Sequence, residues 1–242
     1  MEKKIILCQG GLGDHLSLST LPEEFTKLGF EVYLSSRNVH RNIEIYNLVW
    51  ALNPYILGFS DEPANSGHAI GIEYTNKPFI ECVENNQGIF NTGNKYPKIY
   101  REHNLIEVLK DKTILNLESI SANYDSVDVI KKIDELIESL SVDKKDILKI
   151  KTVQDPNIFG GNFANNKQVS IIDVDYEDYN VNNINEYCDV IHSCKNYITL
   201  HSGGASVAAA IRKENTFVIM NEALREPFDI NCFIFDNQIY IF

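Results

Sequence analysis

The chain has 242 residues, enough for one large domain or two small ones. Its 44% hydrophobic and 23% charged content is ordinary globular composition and excludes disorder as the default reading. A formal net charge of −12 leaves no surplus of lysine and arginine for a polyphosphate backbone, which excludes a sequence-independent nucleic-acid binder but not a small phosphorylated ligand held by a few aimed N–H groups.

In chain order, KIILC (4–8) predicts a buried strand. A glycine turn follows, then one helix carrying Leu16, Leu18, Leu21, Phe25 and Leu28 and closed by Gly29. FEVYLSS (30–36) predicts the next strand, and strand, helix and strand form a βαβ unit with a right-handed parallel crossover. The spacing of Ile45, Leu48, Val49 and Leu52 predicts a helix over 41–52, ended before Pro54. Weaker patterns place strands near 55–59 and 68–73 and a helix near 78–85, in a stretch rich in Asn and Gly.

KTILNL (112–117) starts a second series. A polar turn leads to a helix over 127–140, a strand over 146–153, an irregular Gly, Pro and Asn loop over 154–167 and a strand over 169–174. A helix over 181–194, a strand over 196–200, a turn and helix over 201–211 and a strand over 216–220 complete it. This alternation predicts the α/β class: two Rossmann-like doubly wound domains, 1–108 and 109–242, with a boundary near 104–112.

Five cysteines without a CxxC pair fit a reduced, cytoplasmic protein with buried thiols. The apolar start MEKKIILC is too brief for a signal peptide, and no stretch approaches the ~20 apolar residues of a membrane span.

Two glycine turns carry the chemistry. In GGLGDHL, Gly11 and Gly13 could open a GxGxxG dinucleotide fingerprint, but its third glycine falls on Leu16, and Ser35, Ser36 and Arg37 stand where a ribose-binding acid belongs. A nicotinamide or flavin site is therefore poorly supported. In LHSGGASVAAAI, Gly203, Gly204 and Ala205 would present N–H groups at a helix N-terminus capped by Ser202 or Ser206, a ready site for a diphosphate. The plain alternative is an alanine-packed helix with nothing bound.

GGLGDHLSLSTLPEEFTKLGFEVYLSS resembles the N-terminal signature of the ADP-heptose:lipopolysaccharide heptosyltransferase family, and INEYCDVIHSCKNYITLHSGGASVAAAIRKENTFVIM is similar to its C-terminal signature. The resemblance implies the GT-B architecture: two Rossmann-like domains facing across a cleft, acceptor on the first and nucleotide-sugar on the second. It places Asp14 at the position of the general base, with helix capping as the plain alternative. It brings the backbone at Gly11 and Gly13 close to the cleft, with His15 beside it, and assigns the donor to His201, Ser202, Gly203, Gly204, Ala205 and Ser206. Ser119 and Ser121, in the turn after TILNL, would also approach the donor.

The chain departs from the family where His201 replaces an aspartate and Ser206 replaces a histidine. The family's diphosphate-binding lysine has no clear counterpart; Arg212, Lys213 or Arg225 would substitute, with Arg212 and Lys213 equally readable as helix C-terminal charges facing water. No cofactor beyond the donor substrate and no metal is expected, because helix N-termini and basic side chains can neutralise a diphosphate. The Asp173-x-Asp175 pair reads as a solvated acidic loop. The expected partners are a nucleotide-sugar and a glycan acceptor, and a homo-oligomer would suit a chain short for this fold. Two rival readings are a catalytically silent nucleotide-sugar-binding protein and a nucleotide-sugar epimerase.

Overall fold

The computed structural model describes residues 2–40, 43–73, 77–119, 124–152, 170–221 and 233–242. The chain divides into two compact units, Met1–Arg101 with Phe228–Asp236, and Glu102–Pro227 with Asn237–Phe242.

The first unit is built on β1 (Lys3–Leu7), whose Ile5 and Ile6 are buried. After it come β2 (Gln9–Gly10), α1 (Leu12–Ser17), α2 (Leu21–Lys27), β3 (Glu31–Ser35), β4 (Val39–His40), α3 (Ile43–Val49), β5 (Phe59–Ser60), β6 (Ser66–Gly67) and α4 (Phe79–Asn86). The main sheet has the order β5-β3-β1-β6, with every pairing parallel. The chain therefore steps from β1 to β3 to β5 on one side and then crosses to β6 on the other.

The single helix expected after the first turn is two helices. The Ser17 hydroxyl donates to the Asp14 carbonyl at 2.7 Å and the Ser19 hydroxyl to the Leu16 carbonyl at 2.6 Å, satisfying carbonyls where α1 stops. Pro22 then sits in the first turn of α2, where a helix needs no N–H from it. Leu16, Leu18, Leu21 and Phe25 stay buried through the break, whereas Leu28, beyond the last turn, is exposed.

The segment 92–100 is strapped to α2 and α4. Asn94 Nδ2 donates to Glu24 Oε1 at 2.9 Å and to Glu84 Oε1 at 2.8 Å, and Thr92 donates to the other Glu84 oxygen. Lys98 Nζ and the Tyr100 hydroxyl both reach Glu23 Oε2, at 2.6 and 3.1 Å. Burial pushes the Glu84 carboxyl above its ordinary range, partly offset by the hydrogen bond from Thr92. At Glu23 burial works the same way, but hydrogen bonds from Lys27 and Lys98 override it and hold the carboxyl at about 2.

The second unit contains β7 (Thr113–Asn116), β8 (Glu118–Ser119), α5 (Ser126–Leu140), β9 (Ile147–Thr152), β10 (Ser170–Ile171), β11 (Glu177–Val181), α6 (Ile184–Ser193), β12 (Asn196–Leu200), α7 (Gly203–Ala210), β13 (Thr216–Ile219) and β14 (Ile239–Ile241). Its main sheet is again all parallel, in the order β11-β9-β7-β12-β13-β14. Asp125 caps α5 by accepting from the Val127 N–H at 2.9 Å, and Asn183 caps α6 by accepting from Glu186 at 2.9 Å. Val129, Ile133 and Leu136 of α5 pack on Leu115, Ile147, Ile198 and Ile219 of the sheet.

Two expectations change here. The strand expected over 169–174 is a two-residue antiparallel partner of β8, outside the main sheet. The sheet edge belongs instead to β11, which the sequence reading passed over, because of its five residues only Val181 is buried. The loop expected over 154–167 lies outside the described residues. Four cysteines, Cys8, Cys82, Cys188 and Cys194, are buried, and Cys232 lies outside the described residues. Among the described residues no helix is long and apolar enough to cross a membrane.

Candidate functional site

In an open parallel sheet, ligands bind beyond the carboxyl ends of the strands, at the point where the strand order reverses. That point lies between β1 and β6 in the first unit and between β7 and β12 in the second. Each predicted glycine turn leaves one of these strands.

In the first unit, Gly10 has φ +126°, and a Cβ there would run into the Asp14 carboxylate. The bare glycine lets that carboxylate fold back over the turn, where Asp14 Oδ2 accepts from the Gly11 N–H at 2.7 Å. Gly11 is the extended residue that precedes α1, and Gly13 lies inside the helix. Asp14 is thus in the first helical turn and is not itself the capping residue; it serves the cap by reaching backwards. Its carboxylate is half-buried. Burial, with the Asp14 charge adding to it, pushes the Cys8 thiol well up.

His15 is fully enclosed: Trp50 Nε1 donates to its Nδ1 at 2.7 Å and its Nε2 faces the Val39 carbonyl at 3.4 Å. The structure gives this side chain a packing role between α1, Trp50 and β4, out of a ligand's reach. A different histidine stands at the turn. His68, just after β6, accepts from the Gln9 N–H through Nδ1 at 3.0 Å. Burial lowers its pKa from the ordinary 6.5, with the Asp14 charge opposing.

In the second unit, the His201 N–H donates to the Ile219 carbonyl at 3.0 Å, and the Tyr124 hydroxyl donates to the His201 carbonyl at 3.3 Å. Ser202 caps α7, its Oγ accepting from the Gly204 N–H at 3.3 Å. Its carbonyl takes the N–H groups of Ala205 at 3.1 Å and Ser206 at 3.4 Å. Two of the three amides expected to face a ligand, those of Gly204 and Ala205, are therefore engaged inside the turn, and Gly203 leads the helix. Ser206, 1% exposed, is a core residue of α7 and not the cap.

Gly204 rests on a buried polar knot. Asn116 Nδ2 donates to the Tyr187 hydroxyl at 2.7 Å and the Tyr197 hydroxyl at 2.9 Å, and the two phenols lie 3.1 Å apart. A Cβ on Gly204 would meet all three groups, with Tyr197 Oη at 2.7 Å. Burial pushes the Tyr197 phenol up to about 12 and Tyr187 well above its ordinary value, so both are neutral hydrogen-bonding groups.

Ser119 lies on β8, in register with Ser170, beside Glu118. Glu118 accepts from Thr152 Oγ1 at 2.8 Å, and burial raises its pKa. Ser121 and Arg225 lie outside the described residues. Lys213 donates its ammonium to the Cys194 carbonyl, which commits it to the fold. Asp173 and Asp175 are exposed and pair with Lys149 at 3.1 Å and Lys144 at 2.9 Å, a solvated acidic loop balanced by lysines.

The sequence reading missed His68, Glu118 and the Asn116, Tyr187 and Tyr197 knot. For the knot a signal existed, since Asn116 interrupts the otherwise apolar run of TILNL. For His68 there was none, because β6 is two residues long and carries no periodicity.

No protein-family model matches the sequence. No curated protein matches it either. Solved structures do share its fold. Heptosyltransferase TibC, a dodecameric, iron-containing enzyme solved with ADP-D-β-D-heptose, superposes with a TM-score of 0.59 at 16% identity over 91% of this chain. A second structure of TibC, from enterotoxigenic E. coli, gives 0.58 at 17% identity over 90%. The glycosyl transferase family 9 protein of Veillonella parvula gives 0.56 at 10% identity, over 99% of this chain and 85% of its own. The chain spans 59% of the length of TibC. It thus has the α/β Rossmann-like fold of heptosyltransferase-like glycosyltransferases. Among its described residues no group of three or more His, Cys, Asp or Glu is placed to hold a metal ion such as the iron of TibC.

Proposed function

We propose that the protein transfers a sugar, of the heptose class, from a nucleotide-sugar to a glycan acceptor. In this reading the two units face each other across a cleft, as in GT-B enzymes, with the acceptor on the first and the donor on the second. The acceptor hydroxyl attacks the anomeric carbon, its proton passes to the Asp14 carboxylate, and the bond to the diphosphate breaks with its electron pair leaving on the nucleotide. The turn at 201–206 receives the diphosphate, whose charge the amino end of α7 favours. Ser119 and, outside the described residues, Ser121 and Arg225 are assigned to the donor side. A soluble, cytoplasmic setting and self-association belong to the same reading.

One observation carries it: in a fold shared with heptosyltransferase TibC, both glycine turns stand at the strand-order reversals of their sheets. The replacement of the family's aspartate and histidine by His201 and by the buried Ser206 favours a second reading, a nucleotide-sugar-binding protein that has lost transfer.

A thermal-shift screen with ADP-D-β-D-heptose and other nucleotide-sugars tests the donor site. A ligand at about 100 times its Kd adds about 2.7 kcal/mol of stability; no stabilisation by any of them removes the assignment. Asp14→Asn separates the two readings. It should lower transfer by roughly 10²- to 10⁴-fold, the span ordinary for a general base, with donor affinity little changed. Undiminished transfer in the variant would take the base role from Asp14.

A further inference from the structure

The turn of the first unit fixes a second polar side chain besides Asp14. His68 follows β6, whose Gly67 lies in register with Leu7 of β1, and the His68 N–H donates to the Leu7 carbonyl at 2.8 Å. Gly67 has φ +67°, and a Cβ there would run into that same carbonyl, so the approach of His68 to the end of β1 depends on the glycine before it. The ring is then gripped from β2, where the Gln9 N–H donates to His68 Nδ1. A backbone amide can only donate, so Nδ1 is bare and the proton of the neutral ring sits on Nε2.

The next two residues hold the carboxylate. Asp14 packs over Gly10 and accepts from the Gly11 N–H. One run of three main-chain residues, 9–11, thereby anchors an imidazole donor and a carboxylate acceptor at the strand-order reversal of one sheet. Half-burial favours the neutral imidazole even with the Asp14 charge nearby.

We infer that His68 is a second acceptor-contacting residue, donating from Nε2–H to one sugar hydroxyl while Asp14 accepts from its neighbour, so that the site selects a polyol acceptor over an anionic one. This rests on the transfer reading above. Hydroxyls both donate and accept, so adjacent hydroxyls can satisfy both partners at once, whereas a phosphate acceptor would meet the Asp14 carboxylate with like charge.

The test uses the full chain, ¹⁵N-labelled at histidine, with His68→Gln to assign the resonance. The expected spectrum shows His68 as the Nε2–H tautomer, titrating below 6.5, and Asp14→Asn moves that midpoint lower still because a charge that raised it is gone. An Nδ1–H tautomer, or a midpoint indifferent to Asp14→Asn, overturns the pair whatever the activity. Transfer from ADP-D-β-D-heptose to a panel of neutral saccharides and sugar phosphates is then measured. Wild type should prefer the neutral acceptors, and His68→Gln should raise acceptor KM by about 10-fold or more, the scale of one lost hydrogen bond, with an unchanged thermal shift by the donor. An unchanged acceptor KM, or a preference for the phosphates, overturns the inference and leaves the transfer reading standing. A wild type that neither binds nor turns over a nucleotide-sugar removes both.

Discussion

Glycine 204 and glycine 10 show how single missing methyl groups shape the two turns. Gly204→Ala would press a Cβ against Tyr187, Tyr197 and Asn116, which are hydrogen-bonded to each other, the last two buried, and have no room to swing aside. We expect about 1–3 kcal/mol of destabilisation, the usual cost of overpacking, measured by urea unfolding, together with loss of the thermal shift by nucleotide-sugars. Gly10→Ala should leave the knot untouched and displace the Asp14 carboxylate instead, so its mark is on transfer and not on donor binding. His15 and His68 make the complementary point. Next to Asp14 in sequence, His15 is locked in the core by Trp50, while His68, more than fifty positions further on, shares the turn with the carboxylate. Sequence adjacency does not keep His15 beside the Asp14 carboxylate, because a helix carries successive side chains to different faces.

At the level of elements, the strap of residues 92–100 makes stability depend on pH in two opposing ways. Glu23, held at about 2, contributes stability that is present above its unfolded value of about 4.5 and lost as pH falls through about 2. Glu84, pushed up by burial, does the reverse: its contribution is full below the unfolded value and lost as pH rises through its raised folded value. Glu84→Gln keeps an acceptor for Asn94 without a buried charge, so it should stabilise the protein at pH 7 by about 1 kcal/mol, or about 2–4 °C in Tm for a chain of this size. The gain should vanish below pH 4, as calorimetry across that range will show; a destabilised variant at pH 7 would mean that the carboxylate is needed charged. The strap, the two-residue strands β5 and β6 and the polar edge strand β11 were also the elements least legible in the sequence. Each is held by pairing to a neighbour distant in the chain, and none buries enough of its own side chains to imprint a period. The long apolar strands, α5 and α7 carry their own cores and were legible to within a residue or two, whereas α6 begins three residues later than expected because Val181 ends β11.

For the whole molecule, the excess of acidic residues sets the response to salt. A net charge of −12 repels itself in the compact state, and raising ionic strength from about 20 to 300 mM should lift Tm by a few degrees before specific ion effects intervene. A Tm that falls over that range would show that surface ion pairs such as Lys3 with Glu62 outweigh the repulsion. The alternation of strand and helix made the Rossmann-like fold readable from the sequence, and the two glycine turns located both strand-order reversals. What the turns contain was not readable, since Asn116, Tyr187 and Tyr197 come together in the second unit, and His68 reaches Gln9 in the first, only once each unit's sheet is assembled.

The margin of the second sheet has a consequence for solubility. A strand at the end of a sheet is a template for intermolecular pairing, and amyloid growth starts from such templates. In β11 that template is studded with Glu177 and Asp178, and Asp178 already grips Lys149 and Lys151 of β9. A second copy docking there would set acid against acid, so fibre growth along this margin is discouraged.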